Sequence, residues 1–177
     1  DGQIPPESIE RLTAIGRWME VNGEAIHATQ AGPFPRRLPW GRVTQKRDDS
    51  GGTTLYLHVW EWPEDGKILL PTVKEIPSGG KLLAGGKPVT WKSSDDGLVV
   101  ELPGAATDPD VSVTRLDFPG AVTVTQEPFI ASDADGRVTF TAFDADTHGS
   151  LDGNIQIRGT GKEAYLTDWK NPAWKLE

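Results

Sequence analysis

Cysteine is absent from the 177 residues, which excludes disulfides, thiolate nucleophiles and cysteine metal ligands while leaving the compartment open. No apolar run approaches the roughly 18 to 20 residues that cross a bilayer, and the opening DGQIPPESIE lacks the basic-then-apolar order of a signal peptide. Basic residues are outnumbered, 18 Lys and Arg against 26 Asp and Glu, for a net charge of -8. A phosphate-binding surface is built from clustered cations that release counterions, so nucleic acid is not an expected partner. Histidine is scarce: His27, His58 and His148 lie far apart with no H-x-x-x-H spacing, so no zinc site is expected. No G-x-S-x-G elbow occurs. Ser78-Gly79-Gly80-Lys81 and Gly85-Gly86-Lys87 lack the rest of a phosphate loop and read as hairpin turns. No cofactor is expected. The chain does not open on Met, a start that fits a processed, trimmed or excised piece.

What is present is a β-rich pattern with one helix in front of it. Ile9, Leu12, Ile15 and Met19 recur at helical spacing after Pro5-Pro6, which predicts a helix from about Pro6 to Val21. Asn22-Gly23 reads as its stop, with Gly23 in the left-handed conformation. From Arg42 onward the period changes. Leu55, Leu57 and Val59 alternate with Tyr56, His58, Trp60 and Trp62, as in a strand with two different faces. Turn signals then separate KILLP, KLLAG, VTWKS, LVVEL and VSVTRLDF, with Asp95-Asp96-Gly97 as a hairpin turn. Short strands without helical crossovers imply antiparallel pairing in a two-sheet sandwich. The expected division is a helix and connector over 1–41, the sandwich over 42–118 and a β-rich extension over 119–177. That extension contains AVTVT, RVTFTAF, NIQIR and EAYLTDW.

Two groups of residues offer chemistry. Asp133, Asp135, Asp144 and Asp146 form two D-x-D pairs, but the spacing is not that of an EF-hand, and solvated turn acids explain them better than calcium. Seven Trp are many for this length, and aromatic rings are platforms for sugar C–H groups. Trp60, Trp62, Trp91, Trp169 and Trp174 are therefore open to that reading, against the plainer one that Trp anchors cores. The strand face carrying Tyr56, His58, Trp60 and Trp62 is the best candidate for contact with sugar or with another domain.

IERLTAIGRWMEVNGEAIHAT resembles the end of the catalytic barrel in the alpha-L-fucosidase family of retaining glycoside hydrolases, where an IG-x-W-hydrophobic-x-x-NGEAIY segment recurs. VTQK, LYLHVWEWPEDGKILLP, KLLAGGKPVTWKSSDDGLVVELP and VSVTRLDF follow in the family's order. The resemblance runs from about Ile4 to Phe118, with His27 where the family usually has Tyr. DADTHGS and TDWKNPAW are similar, more loosely, to an extension that leads into a further carbohydrate-binding-like domain in some bacterial members.

The resemblance implies that the helix closes a (β/α)8 barrel that is missing here, and that the sandwich is the family's C-terminal domain packed against that barrel. Retaining glycosidases work with two carboxyl groups about 5 to 5.5 Å apart. In this family both come from the barrel, so no catalytic role passes to any residue here, Glu24 included. The expected function is a non-catalytic β-sandwich region of an enzyme that hydrolyses terminal alpha-L-fucose with retention, acting on fucosylated glycans. Family resemblance favours a periplasmic or secreted location. A stand-alone carbohydrate-binding module on the Trp60/Trp62 face is the alternative, and an unrelated adhesion or assembly sandwich is the third. Without its barrel, the stripe of Ile9, Leu12, Ile15 and Met19 is expected to drive self-association.

Overall fold

A computed structural model describes residues 3–34 and 38–125 with their side chains, and the backbone of 147–148, 156–158, 165–167 and 175–176. The predicted helix forms as α1, Pro6–Asn22, with Pro6 at the first helical position and Glu7 in the first turn, where a fixed φ and a negative charge both suit the helix start. Its end differs from expectation. Gly23 is right-handed, φ -59° and ψ -27°, and α1 tightens into a 310 turn over Gly23–Ala25. The N–H groups of Ile26 and His27 both donate to the Gly23 carbonyl, at 3.0 and 2.8 Å, so the chain closes its last turn without a left-handed glycine. The left-handed residue comes later, at Ala28, φ 55°.

The β region is a two-sheet sandwich. One sheet contains β1 (Gln30–Ala31), β2 (Gly41–Arg47), β3 (Thr53–Val59), β5 (Gly79–Leu82) and β8 (Ser112–Phe118), in the antiparallel order β1-β2-β3-β8-β5. The other contains β4 (Lys67–Pro71), β6 (Thr90–Ser94) and β7 (Gly97–Glu101), ordered β4-β7-β6. The alternation read from the sequence sets the register: Leu55, Leu57 and Leu116 of the larger sheet face Ile68, Leu70, Leu98 and Val100 of the smaller, in one buried core. The Asp95-Asp96-Gly97 turn joins β6 to β7 as expected. Gly97 has φ 142°, and a Cβ there would run into the Leu70 carbonyl, so the position accepts only glycine.

AVTVT is not a strand. Residues 121–125 run as a strap whose Val122 and Val124 pack on the core, held by side chains in place of a ladder: the Thr123 N–H donates to Glu75 Oε1 at 3.0 Å. In the extension, NIQIR and EAYLTDW contribute β10 (Gln156–Arg158) and β11 (Tyr165–Thr167), which pair antiparallel, as do β9 (Thr147–His148) and β12 (Lys175–Leu176). RVTFTAF, the four candidate calcium acids, Trp169 and Trp174 lie outside the described residues.

Candidate functional site

The end of α1 and the outer face of the larger sheet build one polar junction. Antiparallel pairing brings Thr44 of β2, Tyr56 of β3 and Arg115 of β8 into register, and beside them Arg42, His58 and Val113. These residues point away from the sandwich interior because their neighbours along each strand point into it. The sequence offers this strand face for contact with sugar or with another domain; Tyr56, His58 and Val113 on it are buried, since Trp18 and Ala25 cover them.

Specific bonds fix this cover. The Trp18 indole N–H donates to the Val111 carbonyl at 2.8 Å, and Asn22 Nδ2 donates to the Trp18 carbonyl at 3.2 Å. Thr44 Oγ1 donates to the Ala25 carbonyl at 2.7 Å and lies 3.0 Å from His58 Nε2. The rings of Trp18 and His58 are tilted by 30° with centroids 6.5 Å apart. On the other side, Arg115 joins Glu24 of the 310 turn at 3.4 Å and Asp117 at 2.9 Å.

Burial governs the electrostatics. It pushes the His58 pKa below the ordinary histidine value, with the Ala25 carbonyl partly opposing the shift. It pushes the Tyr56 hydroxyl up, helped by the negative charge of Glu24. For Arg115 burial works against the charge, but the Asp117 hydrogen bond and charge, with Glu24, outweigh it and raise the pKa.

Next to the junction, α1 and the 107–111 loop enclose an open cleft of about 720 Å³, with Ile15, Trp18, Val21 and Val111 on its walls and Arg11, Asp108 and Asp110 among its polar groups. Asp108 is already engaged: its Oδ1 accepts the N–H groups of Asp110 and Val111 at 2.9 and 3.0 Å, which shapes the loop. Among the described residues no group of three or more His, Asp or Glu lies close enough to hold a metal ion. No helix among them is long and apolar enough to cross a membrane.

The four aromatic candidates do not share one open face. β3 ends at Val59, where the Trp60 and Glu61 N–H groups both donate to the Trp40 carbonyl, at 3.0 and 3.2 Å. That turn breaks the alternation. Tyr56 and His58 lie beneath the end of α1, Trp62 packs against the sandwich core with its indole N–H on the Gly104 carbonyl at 3.2 Å, and Trp60 alone is open, 48% exposed. Trp91 also packs against the core. Sequence reasoning missed Trp18, Thr44 and Arg115 as parts of the junction. Trp18 adjoins the apolar stripe in sequence, but a one-residue step turns it to a different side of the helix, and only the cross-strand register makes neighbours of Thr44 and His58.

No family model matches the chain. It is 30% identical over 115 residues to the alpha-L-fucosidase of Branchiostoma floridae, a match covering 61% of this chain and 24% of the relative. Among solved structures, alpha-L-fucosidase isoenzyme 1 from Paenibacillus thiaminolyticus superposes with a TM-score of 0.56 at 30% identity, over 66% of this chain and 28% of that one. The alpha-L-fucosidase from Vibrio sp. strain EJY3 gives 0.58 at 28% identity, over 85% of this chain and 26% of that one. These matches identify the chain, over about 60% of its length, as related to the C-terminal part of alpha-L-fucosidases. The chain spans about a quarter of the length of the relatives it matches.

Proposed function

We propose that the chain is the non-catalytic β-sandwich region of an alpha-L-fucosidase-like enzyme whose catalytic part removes terminal alpha-L-fucose from fucosylated glycans with retention. The observation that carries this reading is the likeness to alpha-L-fucosidases over 61% of this chain but only 24% of the relative. The state of α1 supports it: Ile9, Leu12 and Ile15 are more than half exposed, although a helix of this length draws most of its stability from a buried face. We assign that face to contact with the catalytic barrel, residues 1–41 to the end of the barrel and its connector, 42–118 to the bracing sandwich and 119–177 to the extension. The carboxylates of the cleft, Asp108 and Asp110, are two positions apart on one loop, not opposed across a substrate, and the first is committed to backbone N–H groups.

The purified chain is therefore expected to leave an activated aryl alpha-L-fucoside unhydrolysed, because positioned carboxyl groups in a shaped site are needed for this chemistry. Turnover above buffer that vanished on mutating an Asp or Glu of this chain would overturn the reading.

The exposed ring of Trp60 supports a second reading, sugar binding by the chain alone. Saturable binding of a fucosylated glycan, lost in Trp60→Ala, is its signature; no binding by the wild type removes it.

A further inference from the structure

Two titratable groups are buried under the end of α1, Tyr56 and His58, and of these only histidine has an ordinary pKa near neutrality. His58 is 6% exposed, and its ring supports Trp18 from below. Thr44 Oγ1 has one proton and gives it to the Ala25 carbonyl at 2.7 Å, so toward His58 Nε2, 3.0 Å away, it can only accept. That assigns the neutral imidazole its proton on Nε2, and any further proton goes to Nδ1, creating a cation under the end of the helix. We propose that the junction is an acid-sensitive latch, in which protonation of His58 releases Trp18 and the 310 turn from the sheet.

The surroundings give that cation little support. From β2 the facing groups are Thr44 and Arg42, the latter in register with His58. From β8 they are Val113, in register with His58, and Arg115, in register with Tyr56. β3 itself contributes Tyr56, and the chain after the 310 turn carries His27. The acid on the turn, Glu24, is engaged with Arg115 at 3.4 Å. The Trp18 centroid, 6.5 Å away, is just beyond the roughly 6 Å at which a ring face favours a cation. Among the described residues the Ala25 carbonyl favours the charged form, and burial outweighs it.

The sign follows from linkage. The docked histidine has a lowered pKa and the released one the ordinary value of about 6.5, so the open state binds more protons. The latch is at full strength above about pH 6.5 and weakens as pH falls toward the docked pKa. Below that value both states are protonated and no further loss occurs. For one proton taken up, the open fraction rises by up to about tenfold per pH unit within the window.

Two NMR measurements on the whole chain test this. The first follows exchange of the Trp18 indole N–H, held by Val111, relative to that of Trp40, held in the core by the Leu69 carbonyl at 3.0 Å. The ratio is expected to rise on acidification in the wild type and to stay flat in His58→Gln, which does not titrate. The second is the titration of the His58 ring itself, with a midpoint expected below about 6.5. A midpoint at or above that value overturns the latch, and so does an acid response of Trp18 that survives in His58→Gln. If that variant fails to fold, the wild-type midpoint decides alone.

Discussion

Thr72 and Thr125 hold each other: the Thr125 N–H donates to Thr72 Oγ1 at 3.0 Å, and the same hydroxyl donates to the Thr125 carbonyl at 3.3 Å. Thr72 does this from a left-handed backbone, φ 60°, which a β-branched residue adopts only when its surroundings compel it. The residue therefore accepts strain at the end of β4 to fasten the 121–125 strap over the core.

Thr72→Val keeps the shape and the strain while deleting both bonds. It is expected to destabilise the chain by about 1 to 2 kcal/mol. Denaturant unfolding checks this, and an unchanged midpoint would show that Val122, Val124 and the Glu75 bond to Thr123 hold the strap without Thr72.

Two glycines at element boundaries behave oppositely. Gly97, φ 142° with the Leu70 carbonyl in the way of a side chain, is expected to lose more than about 2 kcal/mol as Gly97→Ala. Gly23 is right-handed, and its added Cβ would sit 3.3 Å from His27 Cδ2, a contact that a movable ring relieves. Gly23→Ala is therefore expected to change stability by less than about 1 kcal/mol. Thermal melts of the two variants side by side test the ordering, and equal losses would mean that Gly23 has a backbone role its conformation does not show.

What could be read from the sequence depended on the range of the interaction. The alternation of Leu55, Leu57 and Val59 and the Asp95-Asp96-Gly97 turn are local, and the strands they predicted exist. The end of α1 was misread because Asn22-Gly23 suits a left-handed stop by propensity, whereas the 310 turn is selected by what it reaches, Ala25 onto Thr44 and Glu24 onto Arg115. The placing of Trp62 on one face with Tyr56 and His58 fails for a similar reason. Period-2 reasoning carries Trp62 along with Tyr56, but the bonds from Trp60 and Glu61 to the Trp40 carbonyl end the strand first. No local signal announces a contact between residues so far apart in sequence.

The junction also predicts how α1 is attached. Trp18→Phe keeps an aromatic ring over His58 but deletes the indole bond to Val111. A loss of about 1 kcal/mol is expected from the bond alone, confined to the helix, so that amide exchange in α1 accelerates while the β3 and β8 amides keep their protection. Equal acceleration in β3 and β8 would show that helix and sandwich open as one unit.

The last prediction concerns the face of α1 that nothing covers among the described residues. Ile9, Leu12 and Ile15 are 53%, 60% and 57% exposed, and Met19, the fourth member of the stripe, is only half-buried beside the docked end. The helix is therefore anchored at its C-terminal turns and has a free apolar side along the rest. Fully burying an Ile or Leu side chain is worth about 1.5 to 3 kcal/mol, and apolar patches of more than a few hundred Å² usually mark contact surfaces. In the parent enzyme we assign this side to the barrel; in the isolated chain no described residue covers it, and another copy offers a matching surface. The chain is thus expected to sediment as a concentration-dependent dimer or larger species, and Leu12→Glu with Ile15→Glu to sediment as a monomer of unchanged β-sheet content. A wild type that stays monomeric at high concentration, with the first turns of α1 protected from exchange, would mean that the stripe is covered within its own chain and needs no partner.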